Sequence, residues 1–142
     1  MAATTLDETL PEILITERDH ERLMRLLGTL PPRHVVGDLL RRELDRADVV
    51  ESHEIPSDVV TMHSHVVLED AGTQKRHTVT LVYPGGADFQ QGRLSILAPV
   101  GAALLGLRAG AEIAWPMPDG SKRLVRVVSV DWQPEAAGDF SL

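Results

Sequence analysis

Apolar and polar positions divide this chain into two stretches with different periods. Leu23, Leu26 and Leu30 recur at i, i+3 and i+7, the stripe of an amphipathic helix. Thr16 is placed to cap that helix, and Asp19 follows three residues on in the manner of a capping box. Glu21 and Arg25 stand one turn apart, spaced for an ion pair. Gly28-Thr-Leu-Pro-Pro-Arg-His34 ends the helix, because two consecutive prolines cannot continue its hydrogen bonding. A second helix is expected from about Val35 to Ala47, with Val36, Leu40, Leu44 and Ala47 as its apolar seam. Two such helices joined by a brief breaker read as a short antiparallel hairpin. At a rise of ~1.5 Å per residue each helix spans roughly 20 Å. Ile13-Leu14-Ile15, just before it, fits either a strand or a packing segment.

Ser52-His-Glu-Ile-Pro-Ser57 has the composition of a linker, and beyond it the period becomes two. Val60, Met62, Ser64, Val66 and Leu68 would share one face of a strand, with Thr61, His63, His65 and Glu69 on the other. Asp70 to Gln74 turns the chain into a second strand, Arg76 to Tyr83, which Pro84-Gly85-Gly86 stops. Leu94 to Leu97 has strand propensity and runs into a very short helix. Pro99 suits the first helical position and Gly106 a left-handed stop, with the small residues Gly101-Ala102-Ala103 between them. Glu112 to Met117 is a strand with Ile113, Trp115 and Met117 on one face. Pro118-Asp119-Gly120-Ser121 is a hairpin signal that leads into the closing strand, Lys122 to Trp132. The fold class is therefore α+β, with a twisted, mainly antiparallel sheet around one short helix. The expected boundary separates a hairpin in residues 1–51 from a sheet domain in residues 52–142.

Composition narrows the function. Of 142 residues, 43% are hydrophobic and 25% charged, ordinary for a folded chain, and aromatics are only 4%, so the core rests on aliphatic residues. The net charge of -7 lacks the basic excess of an autonomous nucleic-acid binder. The absence of cysteine excludes disulfides, thiolate metal sites and a cysteine nucleophile. No apolar run approaches the ~18 residues of a membrane span, and Met1 to Thr9 lacks the pattern of a signal peptide, so a cytoplasmic protein is expected.

Candidate chemistry is sparse. His63 and His65 would share a strand face, but a metal site needs further ligands, and a hairpin closing at Asp70 to Lys75 pairs His77 near Leu68 instead. No serine stands in a nucleophile elbow, and no glycine pattern makes a phosphate loop. Glu43, Asp45, Asp48 and Glu51 read as a solvated acidic face. No catalytic residue, cofactor or metal is expected.

Five segments in order carry a family resemblance: Glu43-Leu-Asp-Arg-Ala47, Asp58-Val-Val-Thr-Met62, Thr80-Leu-Val-Tyr-Pro84, Ala98 to Arg108, and Pro134-Glu-Ala-Ala-Gly-Asp139. Together they resemble the nucleoside diphosphate kinase regulator (Rnk) proteins of the Gre transcript-cleavage superfamily. The resemblance implies an FKBP-like, Gre-type C-terminal domain that docks on RNA polymerase beside its secondary channel. In Gre factors a long hairpin enters that channel and presents carboxylates that help hold magnesium for transcript cleavage. Rnk proteins resemble these factors with a short hairpin, and are expected to compete for the channel without cleavage.

The tip here, Leu27 to Gly37, contains no Asp or Glu and carries Arg33 and His34, whereas a magnesium site needs hard oxygen ligands. The positions matching the Gre docking surface are Leu97, Ala98, Pro99 and Val100. Gre factors commonly carry an acidic and a hydroxylated residue before the proline; Leu97 and Ala98 replace them, so apolar contact stands where polar contact would be. RNA polymerase is the expected partner, and any link to nucleoside diphosphate kinase is indirect. Two alternatives stay open. One is an interaction module acting directly on that kinase or on another partner. The other is a prolyl isomerase, whose apolar pocket would have to draw on Tyr83, Phe89, Trp115, Trp132 and Phe140.

Overall fold

The computed structural model describes residues 11–116 and 119–142. Strand β1 (Leu14–Thr16) leads directly into helix α1 (Glu17–Gly28), and helix α2 (Val35–Arg46) returns the chain to strand β2 (Asp48–Val50). β1 and β2 pair in parallel, with Leu14 opposite Asp48 and Thr16 opposite Val50. The helices are therefore antiparallel, rooted at this two-stranded pair, with the turn between them at the far end. Ile13-Leu14-Ile15, which fitted either a strand or packing, lies on the strand side of that choice.

The second part is a five-stranded sheet with one short helix. Its strands are β3 (His65–Asp70), β4 (Arg76–Val82), β5 (Arg93–Ser95), β6 (Glu112–Pro116) and β7 (Lys122–Trp132), in the order β5-β4-β3-β7-β6. All neighbours are antiparallel except β4 and β5. Helix α3 (Pro99–Leu104) follows β5. Among the described residues the elements are those of an α+β fold with a mostly antiparallel sheet. Leu68 lies opposite His77, the register that the Asp70–Lys75 turn implies.

Apolar burial joins the two parts. Leu23, Leu27, Leu40 and Leu44 of the hairpin belong to one cluster with Val66, Leu81 and Val127 of the sheet and Leu104 of α3. Each fully buried leucine contributes about 1.5–3 kcal/mol relative to exposure, so the hairpin root is held by packing.

Two local expectations are corrected. The first sheet strand begins at His65, not near Val60. Residues 59–64 instead form a turning segment in which His63 adopts a positive φ of 70°. The Thr61 and Ser64 hydroxyls lie 2.9 Å apart, and the Ser64 N–H donates to the Thr61 carbonyl, so the chain bends where alternation suggested a strand. The second correction is that β5 stops at Ser95, because Ile96 and Leu97 already turn toward α3. Gly106 is the expected left-handed stop, with φ of 82° just beyond α3, and it also meets the start of β1: a β-carbon there would sit 2.8 Å from that of Ile13. Of the face expected in β6, Ile113 is buried, while the side chains of Trp115 and Met117 lie outside the described residues.

Candidate partner-docking site

The turn from β5 into α3 is built by Ser95. Its carbonyl accepts from the Ala98 N–H at 2.9 Å, and its hydroxyl accepts from the Leu97 N–H at 3.0 Å. Ala98 is the N-cap and offers no side-chain oxygen, and Pro99 takes the first helical position, where its missing N–H costs nothing. The helix then lies so close to its own entry that a β-carbon on Gly101 would stand 2.1 Å from the Ser95 carbonyl oxygen. Gly101, Ala102, Ala103 and Leu104 are buried, while Leu97, Ala98, Pro99 and Val100 are each half-buried. Leu97 and Val100 pack against the core with part of their surface. The four sequence-predicted residues thus form one contiguous apolar strip without a charged side chain, partly open to solvent.

The hairpin tip lies elsewhere. His34 is the N-cap of α2, its Nδ1 accepting from the Gly37 N–H at 3.0 Å, so its ring has local structural work. Arg33 is exposed, with a positive φ of 64°. Beside them Val35 is 73% exposed, an apolar contribution that the helix periodicity did not single out. The nearest carboxylate, Asp38, is exposed on α2. The tip is therefore apolar and cationic, and offers no oxygen cluster of the kind a magnesium ion takes.

A third set of residues, at the hairpin root, was missed by the sequence reading. Thr16 caps α1 as expected, its hydroxyl accepting from the Asp19 N–H at 3.0 Å. The Asp19 carboxylate does not turn back to complete a capping box. It is 1% exposed, accepts from the Met62 N–H at 3.1 Å, and pairs with Arg22 at 2.8 Å. Arg22 in turn lies 5.2 Å from the centre of the Tyr83 ring.

The C-terminal segment closes over this joint. Gln133 donates to the carbonyls of Pro56 and Val59, both at 2.8 Å, and Glu135 accepts from Thr61 at 2.7 Å. Arg18 of α1 donates to the carbonyls of Phe140 and Ser141, and Phe140 stacks on His53 with ring centres 4.3 Å apart. The C-terminal segment from Gln133 to Ser141, which includes the Pro134–Asp139 resemblance, thus ties α1 to the bend at residues 56–64. Burial and the neighbouring Arg22 lower the affinity of His63 for a proton, while burial raises that of Glu135 against the hydrogen bond from Thr61.

His63 and His65 line a shallow cleft of about 600 Å³ together with Thr80, Tyr83, Arg93 and Trp132. No cluster of three or more His, Cys, Asp or Glu side chains that could hold a metal occurs among the described residues. Of the aromatics weighed for an isomerase pocket, Tyr83 and Trp132 line this cleft, while Phe89 is 89% exposed and Phe140 packs on His53. No helix among the described residues is long and apolar enough to cross a membrane.

Two family descriptions divide the chain between them. "Rnk N-terminus" matches residues 11–50, and "Transcription elongation factor, GreA/GreB, C-term" matches residues 55–131. The chain belongs to the Rnk family, within the GreA/GreB superfamily. It is 42% identical over 137 residues to the "Regulator of nucleoside diphosphate kinase" of Escherichia coli K12, covering 93% of this chain and 98% of that one. It is 31% identical over 94 residues to the transcription elongation factor GreA of Rhodopseudomonas palustris TIE-1, but those cover only 59% of that protein. In structure it is similar to a prokaryotic transcription elongation factor GreA/GreB from Nitrosomonas europaea. There the TM-score is 0.70 and the identity 47%, covering 86% of this chain and 99% of that one. This Rnk-family chain is thus a Gre-related regulator.

Proposed function

We propose that this regulator binds RNA polymerase near the secondary channel and excludes Gre-type factors from it without stimulating transcript cleavage. Residues 52–142 supply the docking part, and the hairpin in residues 1–51 occupies the channel mouth. The observation that carries this reading is the strip Leu97–Val100, half-buried, uncharged and held rigid by the Ser95–Gly101 contact. A rigid surface loses little ordering entropy on docking, so its apolar area is available for affinity. The missing cleavage follows from the tip, where Arg33, His34 and Val35 stand instead of carboxylates. Exclusion needs affinity and abundance, and no chemistry.

Pro99→Asp tests the docking surface. The charge enters a half-buried apolar strip, and binding to core polymerase is expected to fall at least about tenfold while the thermal unfolding transition is retained. A folded variant that binds like the wild type would remove the strip from the interface. The name of the Escherichia coli relative supports one further reading, direct action on nucleoside diphosphate kinase. Saturable binding to the isolated kinase, with none to polymerase, would favour that reading.

A further inference from the structure

Phe89 is the most exposed of the large apolar side chains described, at 89%. Exposure of a single apolar side chain is ordinary; what sets this one of two phenylalanines apart is how it is displayed. The segment that displays it is built, not loose. Phe89–Gln91 forms a single 3-10 turn whose N-cap, Asp88, accepts from the Gln91 N–H through both its side chain and its carbonyl. Asp88 and Arg93 exchange two backbone hydrogen bonds of 3.0 and 2.9 Å, closing the loop at its base. Gly92 ends the turn with φ of 74°, and a β-carbon there would stand 3.0 Å from the Thr78 carbonyl, which pins the loop against β4. The ring is therefore presented by a rigid support at fixed height above the sheet edge.

That edge is the one that carries the docking strip. β5 is the terminal strand of the sheet; the Phe89–Gln91 turn packs against it, and its own continuation is Ile96 to Val100. Arg93, the first residue of β5, is exposed and makes no ion pair with the described residues. We propose that Phe89 is a second anchor for the same protein partner, inserting into an apolar pocket with a carboxylate at its rim to meet Arg93. The inference rests on the polymerase reading above and adds a contact to it. Aromatic anchors on rigid supports lose few rotamers on binding, the property that makes them dominant contacts in protein interfaces.

The test is a binding titration of the full chain on core RNA polymerase with wild type, Phe89→Ala, Phe89→Leu and Pro99→Asp. Because Phe89 is almost fully exposed, its variants are expected to melt as the wild type does. Phe89→Ala is expected to weaken binding at least about tenfold, and Phe89→Leu to recover part of the loss. Wild-type affinity in Phe89→Ala, with Pro99→Asp impaired, overturns the second anchor and leaves the polymerase reading standing. A wild-type chain that does not bind polymerase overturns both. If the wild type self-associates and Phe89→Ala alone abolishes this without changing polymerase binding, the anchor serves a second copy and the inference is overturned.

Discussion

An added methyl at Gly101 would sit 2.1 Å from the Ser95 carbonyl oxygen, and the opposing atom is backbone that cannot rotate away. Gly101→Ala is therefore expected to cost about 3 kcal/mol through forced separation of α3 from its entry turn. Gly85→Ala, where nothing lies within 4 Å, should change stability by no more than about 0.5 kcal/mol. Paired thermal or urea unfolding checks both, and equal stability of the two variants would contradict the contact. The small-residue run Gly101-Ala102-Ala103 was legible in the sequence because few other roles suit it. Asp19 was not, since a first-turn carboxylate reads as a capping partner, and only the tertiary approach of Met62 shows its second bond. His63 was likewise read as an exposed strand residue, and its positive φ has no local signal beyond the neighbouring small polar residues. Its proton affinity is depressed by burial, then by Arg22, against smaller support from Asp19 and Asp139. The fold therefore favours neutral His63. Its stabilising contribution is present above the unfolded value of 6.5 and is lost as pH falls through that value toward the lower folded one. His63→Asn accepts the left-handed backbone, so its stability should fall less than that of wild type between about pH 7.5 and about pH 5.5. Parallel losses in both proteins would remove His63 from that pH window.

Two helices of 12 residues each set what the hairpin can do. At ~1.5 Å per residue each spans about 18 Å, and part of that length is buried against α3 and the sheet through Leu23, Leu27, Leu40 and Leu44. On the proposed reading the hairpin lacks reach to the polymerase centre as well as carboxylates at its tip. Arg33→Asp combined with Val35→Asp should therefore leave cleavage of stalled transcripts at the level seen without any factor. Stimulated cleavage by that double variant would show that the tip arrives at the polymerase centre and that only carboxylates were lacking. Both helices, their breaker and all five sheet strands could be placed from periodicity and turn residues, with only the start of β3 and the end of β5 shifted, because Pro31-Pro32, Asp70 to Gln74 and Pro84-Gly85-Gly86 punctuate the chain strongly. The bend at residues 59–64 escaped because the sequence alternation of Val60, Met62, Ser64, Val66 and Leu68 runs straight through it, whereas in the structure Val59 and Thr61 are buried as well and the segment is covered on both sides. The C-terminal strap escaped for a different reason. Its bonds run from Gln133, Glu135 and Phe140 to residues far away in sequence, and no local pattern encodes such pairings.

Over the whole molecule, hairpin and sheet share one apolar core and are fastened again by Asp19 and the C-terminal segment, so the strip Leu97–Val100, proposed as the docking surface, and the tip are held in a fixed relation. On the proposed reading this factor acts by occupying space, and its effect would follow mass action: displacement of a competitor grows with the ratio of concentration to dissociation constant. The net charge of -7 fits a protein surface better than nucleic acid as the thing occupied. Family membership was legible from five short segments in order, and the two family descriptions, over residues 11–50 and 55–131, agree with it. The surface that this chain occupies is open to direct measurement. A competition titration on core RNA polymerase, with a labelled Gre-type factor displaced by this chain, addresses it directly. Full displacement is expected, with a single-site dependence on concentration and a matching fall in transcript cleavage. A Gre factor that stays bound while this chain saturates the polymerase, or is never displaced at any concentration, would contradict it.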